Sequence, residues 1–298
     1  MSPARVELPT EHPLADAVRD FLDDLRGAGL SPHTVRGYRG DLAEFAQHHS
    51  GRVEQVDVAV LRAYFTAISD RAPATRARKQ AAVASFLRWC HRHGLVDANP
   101  IALLDRVKVP EPGPRGVDPA RVEKVLAAIP KRSLRDRVLF TLIARTGVRA
   151  SEALGVHVED LTLTPDDEHV TVYGKGGRAR TILLDDSALV ALIRRYLRVT
   201  GYTRGPLFRA AKNNIGGSLR YASAQELWAK YNAAAAEDVR LHQLRHTHAT
   251  ELVNGGVSLQ TIRKRLGHRK IQTTLGYAEH SDRAADDELR NWRRRRRR

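Results

Sequence analysis

One cysteine and one methionine are all the sulfur that 298 residues carry. With Cys90 alone, an internal disulfide and any all-cysteine zinc site are excluded. Cys90 falls within the apolar spacing of an expected helix and reads as packing. Long apolar runs are missing too. The longest nearly apolar stretch, Val138 to Ala144, falls far short of the about 20 residues a bilayer-spanning helix needs. The opening residues, MSPARVELPTEHPLAD, hold no apolar signal core and include acidic side chains, so export is not expected and a cytoplasmic location is. Acidic charge is in deficit, 34 Asp+Glu against 50 Lys+Arg, a net +16. The run Arg293 to Arg298 supplies six of these, and +10 remains without it. The excess therefore belongs to the body of the chain and suits a polyanionic partner, whose counterions a basic surface releases.

What is present first is helical spacing. Leu14, Val18, Phe21, Leu22 and Leu25 share a 3.6-residue face, with Gly27 and Gly29 as stop signals. Ser31-Pro32 forms an N-cap followed by proline at the first helical position, with Val35, Tyr38, Leu42 and Phe45 inward. A third helix is predicted from Asp57, with Leu61, Phe65 and Ile68 inward. A fourth is predicted from Thr75, with Val83, Phe86, Leu87 and Cys90 inward and Gly94 closing it. Its start, TRARKQ, puts Arg76, Arg78 and Lys79 at a helix N-terminus, where anions are favoured. These three are expected to contact a polyanion.

The segment VKVPEPGPRG, with Pro110, Pro112 and Pro114 alternating, resists helix and sheet and reads as a linker. The expected organisation is a helical domain over 1–108, a linker over 109–116 and a second domain over 117–298. In the second, Asp118-Pro119 and Ser133 open helices. The period then changes in HVTVYGKGGRARTILL. Val170 and Val172 alternate, the Gly174-Lys175-Gly176-Gly177 turn follows, and Ile182 and Leu184 alternate again. That is a β-hairpin with lysine at its tip. Helical spacing returns at Leu189, Leu192, Ile193, Tyr196 and Leu197. The fold class is mainly α with a small β-sheet.

Three of the 13 histidines stand in LHQLRHTHAT. His242 and His246 are four apart, as zinc-binding pairs are. Gln243, however, stands where a zinc protease has its general-base glutamate, Arg245 opposes a dication, and no nearby carboxylate or cysteine completes a shell. No metal and no cofactor are expected. A phosphate suits the segment better, because His242 and Arg245 set a proton-transfer group beside a bidentate guanidinium. His246 and His248 face elsewhere and read as core or supporting residues. Other motifs accompany this one. ARTGVRASEALGV carries Arg149 after a Thr-Gly turn, with Glu152 three residues on; YGKGGRAR carries Lys175; RKRLGHRKIQTTLGYAEH carries His268 and, nine residues later, Tyr277.

In this order and spacing, TGVRASE, GKGGRAR, HQLRHTHAT and LGH…TTLGY resemble the tyrosine recombinase (phage integrase) family of site-specific DNA recombinases, Xer-type members in particular. FLDDLRGAGLSPHTVRGYRGDLAEF and RWCHRHGLVDANPI are similar to the family's helical core-binding domain, so the resemblance covers nearly the whole chain. It implies a helical, SAM-like core-binding domain and an α/β catalytic domain that close around DNA as a C-shaped clamp. It also implies the chemistry. Arg149 and Arg245 would hold the non-bridging oxygens of the scissile phosphate. Tyr277 would attack to form a 3′-phosphotyrosine, His242 is the candidate general base, and Lys175 would protonate the leaving 5′ oxygen. His268 would hydrogen-bond the phosphate, Glu152 would orient the pocket, and Arg178 and Arg180 would contact the DNA backbone.

Implied partners are double-stranded DNA with a specific recombination site and three further protomers, identical or from a second recombinase, with no membrane. Exchange would pass through a Holliday junction, in the cytoplasm at the bacterial nucleoid. Two jobs remain open within the family: Xer-type resolution of chromosome or plasmid multimers, favoured by the lack of an added N-terminal arm-binding domain, and integration or excision of a mobile element. A type IB topoisomerase would share the chemistry without synapsis, and a non-catalytic DNA-binding protein would never form a covalent adduct. Two departures from the family pattern stand out: His248 replaces a usual aromatic, and Gly276 precedes Tyr277 where a larger residue is common. The terminal arginine run reads either as a solvated tail or as a nonspecific DNA contact.

Overall fold

The computed structural model describes residues 8–110, 116–174, 177–210 and 217–267, and the chain divides into two compact units, Met1–Glu111 and Pro112–Arg298.

In the first unit four helices pack around one apolar core: α1 (Ala15–Gly27), α2 (Pro32–Ala46), α3 (Val58–Ala67) and α4 (Pro73–Arg92). Ser31 and Asp57 cap α2 and α3, each side chain accepting a backbone N–H three residues on, which satisfies a donor the helix start leaves unpaired. α4 begins at Pro73, two residues ahead of the predicted Thr75. Proline's fixed φ suits a first helical position, and its missing N–H is no loss there. Phe21 lies at the centre of the core, edge-on to Tyr38, Phe86 and Trp89. Cys90 is fully buried in the same cluster.

At the basic start of α4, Lys79 alone differs from expectation. Lys79 is 3% exposed, and its ammonium donates to Asp41 at 3.1 Å and Glu44 at 2.7 Å on α2. Arg78 is ion-paired with the same Asp41, while Arg76 lines a groove with Arg62 and Arg106. Lys79 is therefore a buried tie between α2 and α4 rather than a surface contact: a cation held this far from water needs its counter-charges close by.

The second unit is built on α6 (Leu134–Thr146), whose Val138, Leu139, Phe140, Leu142 and Ile143 are buried. This is the longest apolar run of the sequence, here a core helix; among the described residues no helix is long and apolar enough to cross a membrane. Around it lie α5 (Pro119–Ala127), α7 (Ala150–Leu154), α8 (Ser187–Thr200), α9 (Tyr221–Ala235), α10 (Leu241–Asn254) and α11 (Leu259–Leu266). Asp118 caps α5 through the backbone N–H of Ala120. The predicted hairpin is present as β2 (His169–Tyr173) and β3 (Ala179–Leu183), antiparallel, with Val172 opposite Arg180 and Val170 opposite Ile182. A two-residue strand that the sequence did not announce, β1 (Leu161–Thr162), completes the order β1-β2-β3.

Candidate active site

α6 ends in the Thr-Gly turn, and the site grows from that turn. Gly147 adopts φ +64, a left-handed C-terminal cap that glycine takes without steric penalty. Space excludes a side chain as well: a Cβ there would come within 2.6 Å of the His248 ring and 2.7 Å of Leu266. Through this close approach the Gly147 carbonyl accepts a hydrogen bond from Arg245 Nη1 at 2.7 Å, while Arg245 Nη2 donates to the carbonyl of Leu266, also at 2.7 Å. Arg245 is 3% exposed. Its guanidinium thus links the end of α6 to the end of α11, and it is fixed by backbone groups that cannot swing away.

Two residues beyond Gly147, Arg149 stands at the head of α7. The Glu152 carboxylate reaches back to the Arg149 backbone N–H at 3.0 Å, as a third-position glutamate does in a capping box. Arg149 Nη1 also donates to Glu152 Oε1 at 2.7 Å, with the side chain 41% exposed and open to an incoming anion. Glu152 is buried. Burial by itself pushes its carboxyl up, but the hydrogen bonds and charge of Arg180, then the Arg149 N–H and guanidinium, outweigh this and hold it down at about 2. It is a carboxylate at any physiological pH.

Arg180 differs from expectation. Rather than pointing to a DNA backbone, it directs Nη1 and Nη2 at the two oxygens of Glu152, at 3.0 and 2.7 Å, and Nε at the Arg265 carbonyl at 3.2 Å. The physical reason is strand parity: opposite Val172 and two residues before Ile182, Arg180 shares the inward face of the hairpin. Arg178, nearer the tip, is exposed.

Lys175, His268 and Tyr277 lie outside the described residues. The residues directly before two of them do not. A Cβ on Gly174 would stand 3.5 Å from Glu152 Oε1, and a Cβ on Gly267 would stand 3.1 Å from the Arg180 guanidinium. The chain therefore enters both the lysine turn and the His268 segment at the Arg149–Glu152–Arg180 cluster. His242 is exposed in the first turn of α10, three residues before Arg245, with its ring 4.5 Å from that of His246.

His248, which replaces an aromatic in the expected pattern, behaves as one. Burial, then the charge of Arg265, pulls its pKa down to about 4. The neutral ring packs over Gly147 and accepts from Arg265 Nε at 3.3 Å. Gly147, Gly267 and Arg180 carry positional roles that motif reading did not assign. Among the described residues no group of three His, Cys, Asp or Glu side chains is placed to hold a metal.

Comparison with known proteins bears on family and fold. Residues 116–284 match the phage integrase family, and residues 18–94 match the phage integrase N-terminal SAM-like domain. The chain is 36% identical over 279 residues to the tyrosine recombinase XerC of Rhodospirillum centenum, covering 87% of this chain and 80% of that one. It is 31% identical over 285 residues to the tyrosine recombinase XerD of Pseudomonas aeruginosa, covering 90% and 92%. Among solved structures, a lambda integrase tetramer bound to a Holliday junction aligns with TM-score 0.74 at 15% identity over 89% of this chain and 76% of that one. The XerH recombinase bound to its difH substrate before cleavage aligns with TM-score 0.66 at 18% identity over 93% and 88%. At such identities the structural likeness speaks for the fold.

Proposed function

Because the chain belongs to the phage integrase family of tyrosine recombinases, with Xer recombinases among its relatives, we propose that it cuts and rejoins duplex DNA at a specific site through a 3′-phosphotyrosine. Strand exchange proceeds through a Holliday junction held by four protomers, identical or shared with a second recombinase, in the cytoplasm at the nucleoid. Its job is Xer-type resolution of chromosome or plasmid multimers. One observation carries the reading: the buried Arg245 is bolted to the Gly147 carbonyl, 98 positions earlier in the chain and two residues from Arg149.

That arrangement suits a phosphoryl transfer. Attack on a phosphodiester adds negative charge to the non-bridging oxygens, and preorganised guanidinium donors stabilise such charge without reorganising during the reaction. Arg245, held by backbone carbonyls, supplies the rigid donor, and Arg149, exposed beside Glu152, supplies the second. Tyr277 is the nucleophile. A phenol ordinarily keeps its proton to about pH 10, so a base is needed, and His242 takes that proton. Lys175 gives a proton to the departing 5′ oxygen, and His268 donates to the phosphate. Two guanidinium groups supply the charge that a metal supplies elsewhere, so the step runs without one. The bond to tyrosine retains the energy of the phosphodiester, and a 5′ hydroxyl from the partner strand releases it.

The test begins with DNA trapped covalently by the protein in its own cells; the recovered site is rebuilt as a nicked suicide duplex. The expected result is a protein–DNA adduct that forms in EDTA, with Tyr277→Phe binding the duplex as well as wild type and forming none. Adduct formation by Tyr277→Phe, or a metal requirement for cleavage, would overturn the reading. Sites confined to the borders of a mobile element would reassign the job to integration or excision.

A further inference from the structure

The Glu152 carboxylate has more donors than an arginine–glutamate pair requires. Oε1 accepts from Arg149 Nη1 and Arg180 Nη1; Oε2 accepts from the Arg149 backbone N–H and Arg180 Nη2. Arg180 in turn has donors on all three nitrogens engaged, since Nε is bonded to the Arg265 carbonyl. Resting on the recombinase reading above, we infer that Arg180 is a positioning residue for strand cleavage. It fixes the Glu152 carboxylate, takes up its charge, and so leaves Arg149 both aimed and cationic for the phosphate.

The charge argument is simple. Glu152 with Arg149 alone would be a neutral pair, and the guanidinium would be drawn onto the carboxylate that orients it. With Arg180 added, two cations share one anion, and the cluster keeps a net positive charge next to the exposed Arg149. Bidentate geometry matters here, because a planar fork matched to both oxygens fixes the carboxylate's rotation as well as its distance. Arg180 also joins segments that must agree. It rises from β3, the strand after the lysine turn; it binds the first turn of α7; and it meets the last turn of α11. Gly267, at φ +67, lies flat enough against the guanidinium that a Cβ would come within 3.1 Å of three of its atoms. Only 16% of the Arg180 side chain is exposed, which leaves it poorly placed to reach DNA directly.

The experiment compares Arg180→Met, Arg180→Lys, Glu152→Gln and the double variant Arg180→Met/Glu152→Gln on the suicide duplex defined above. Dissociation constants, their salt dependence and single-turnover cleavage rates are measured, with thermal melts to confirm folding. Arg180→Met should bind within about twofold of wild type yet cleave roughly 10- to 100-fold more slowly, the size expected when a reacting group is misplaced by about an ångström. Arg180→Lys, retaining charge but not the fork, should recover part of the rate. The double variant should be no slower than the slower single one, since both changes disable the same device. Weaker binding with a reduced salt slope in Arg180→Met would make Arg180 a DNA contact and overturn the inference. Multiplying defects in the double variant, or an unchanged cleavage rate, would overturn it equally. Failure of wild type itself to form an adduct would remove the recombinase reading first, and Arg180's role with it.

Discussion

Replacing Glu152 by glutamine removes one charge from a buried cluster while keeping the shape, and the structure sets both the size and the pH window of the effect. The folded-state pKa is about 2 against an ordinary 4.5. A carboxyl with a depressed folded pKa contributes stability that is fully present above its unfolded value and is lost as pH falls toward its folded one. With each pKa unit worth 1.36 kcal/mol, the shift corresponds to about 3 kcal/mol at neutral pH. The contribution should begin to fade near pH 4.5 and vanish near pH 2, and between pH 5 and pH 3.5 roughly 1 kcal/mol of it should disappear. The assay is urea unfolding of wild type and Glu152→Gln at several pH values, taking the difference between them at each. Subtraction cancels the other carboxylates, which titrate in both proteins. The gap should be widest at pH 5–7 and should narrow on acidification. A gap that stays constant from pH 6 to pH 3.5, or one that widens as pH falls, would refute the claim that Arg180 and Arg149 hold this carboxylate ionised.

Gly147→Ala should destabilise the second unit by about 2–4 kcal/mol, combining a left-handed backbone without glycine and overlap with His248 and Leu266. For a unit of this size that is a fall of roughly 4–16 °C in thermal melting, and an unchanged melt would show the turn free to relax. Lys79→Met leaves Asp41 and Glu44 facing one another with only Arg78 and Arg71 at the edge, so unfolding free energy should drop by about 2–4 kcal/mol. DNA affinity measured well below the melting point should stay within about twofold of wild type, and a large loss of affinity with an unchanged melt would return Lys79 to the DNA surface.

How much of this was legible beforehand depends on whether the deciding interaction is local. Ser31, Asp57 and Asp118 announced their helices because a cap bonds an N–H two or three residues away. The hairpin announced itself by alternation across a glycine-rich turn. β1, two residues long, has no period to read, and its pairing with Leu161 opposite Val170 is fixed by tertiary contact. Motifs single out Arg149, Glu152 and Arg245, and the structure brings Arg149 and Glu152 into one cluster two residues from the turn that Arg245 binds. The bond that joins Arg245 to the Gly147 carbonyl could not be found that way, because it spans 98 positions.

Lys79 and Arg180 depart from the charge-based expectation for a shared reason, and the periodicity around each residue points to it. Lys79 stands four, seven and eleven residues before Val83, Phe86 and Cys90, which is the inward face of α4. Arg180 stands two and four residues before the buried Ile182 of β3 and Leu184 just past its end. In each case the periodicity placed a cation inside while the overall charge suggested a surface ligand, and the periodicity was right. A buried cation implies a partner even when none is nearby in sequence; the carboxylates were 38 positions away for Lys79 and 28 for Arg180. Those two charges are neutralised within the fold and add little to the field outside it. Under the function proposed above, the attraction of DNA rests on the cations that periodicity leaves exposed, Arg178 near the lysine turn and the half-exposed Arg149 among them.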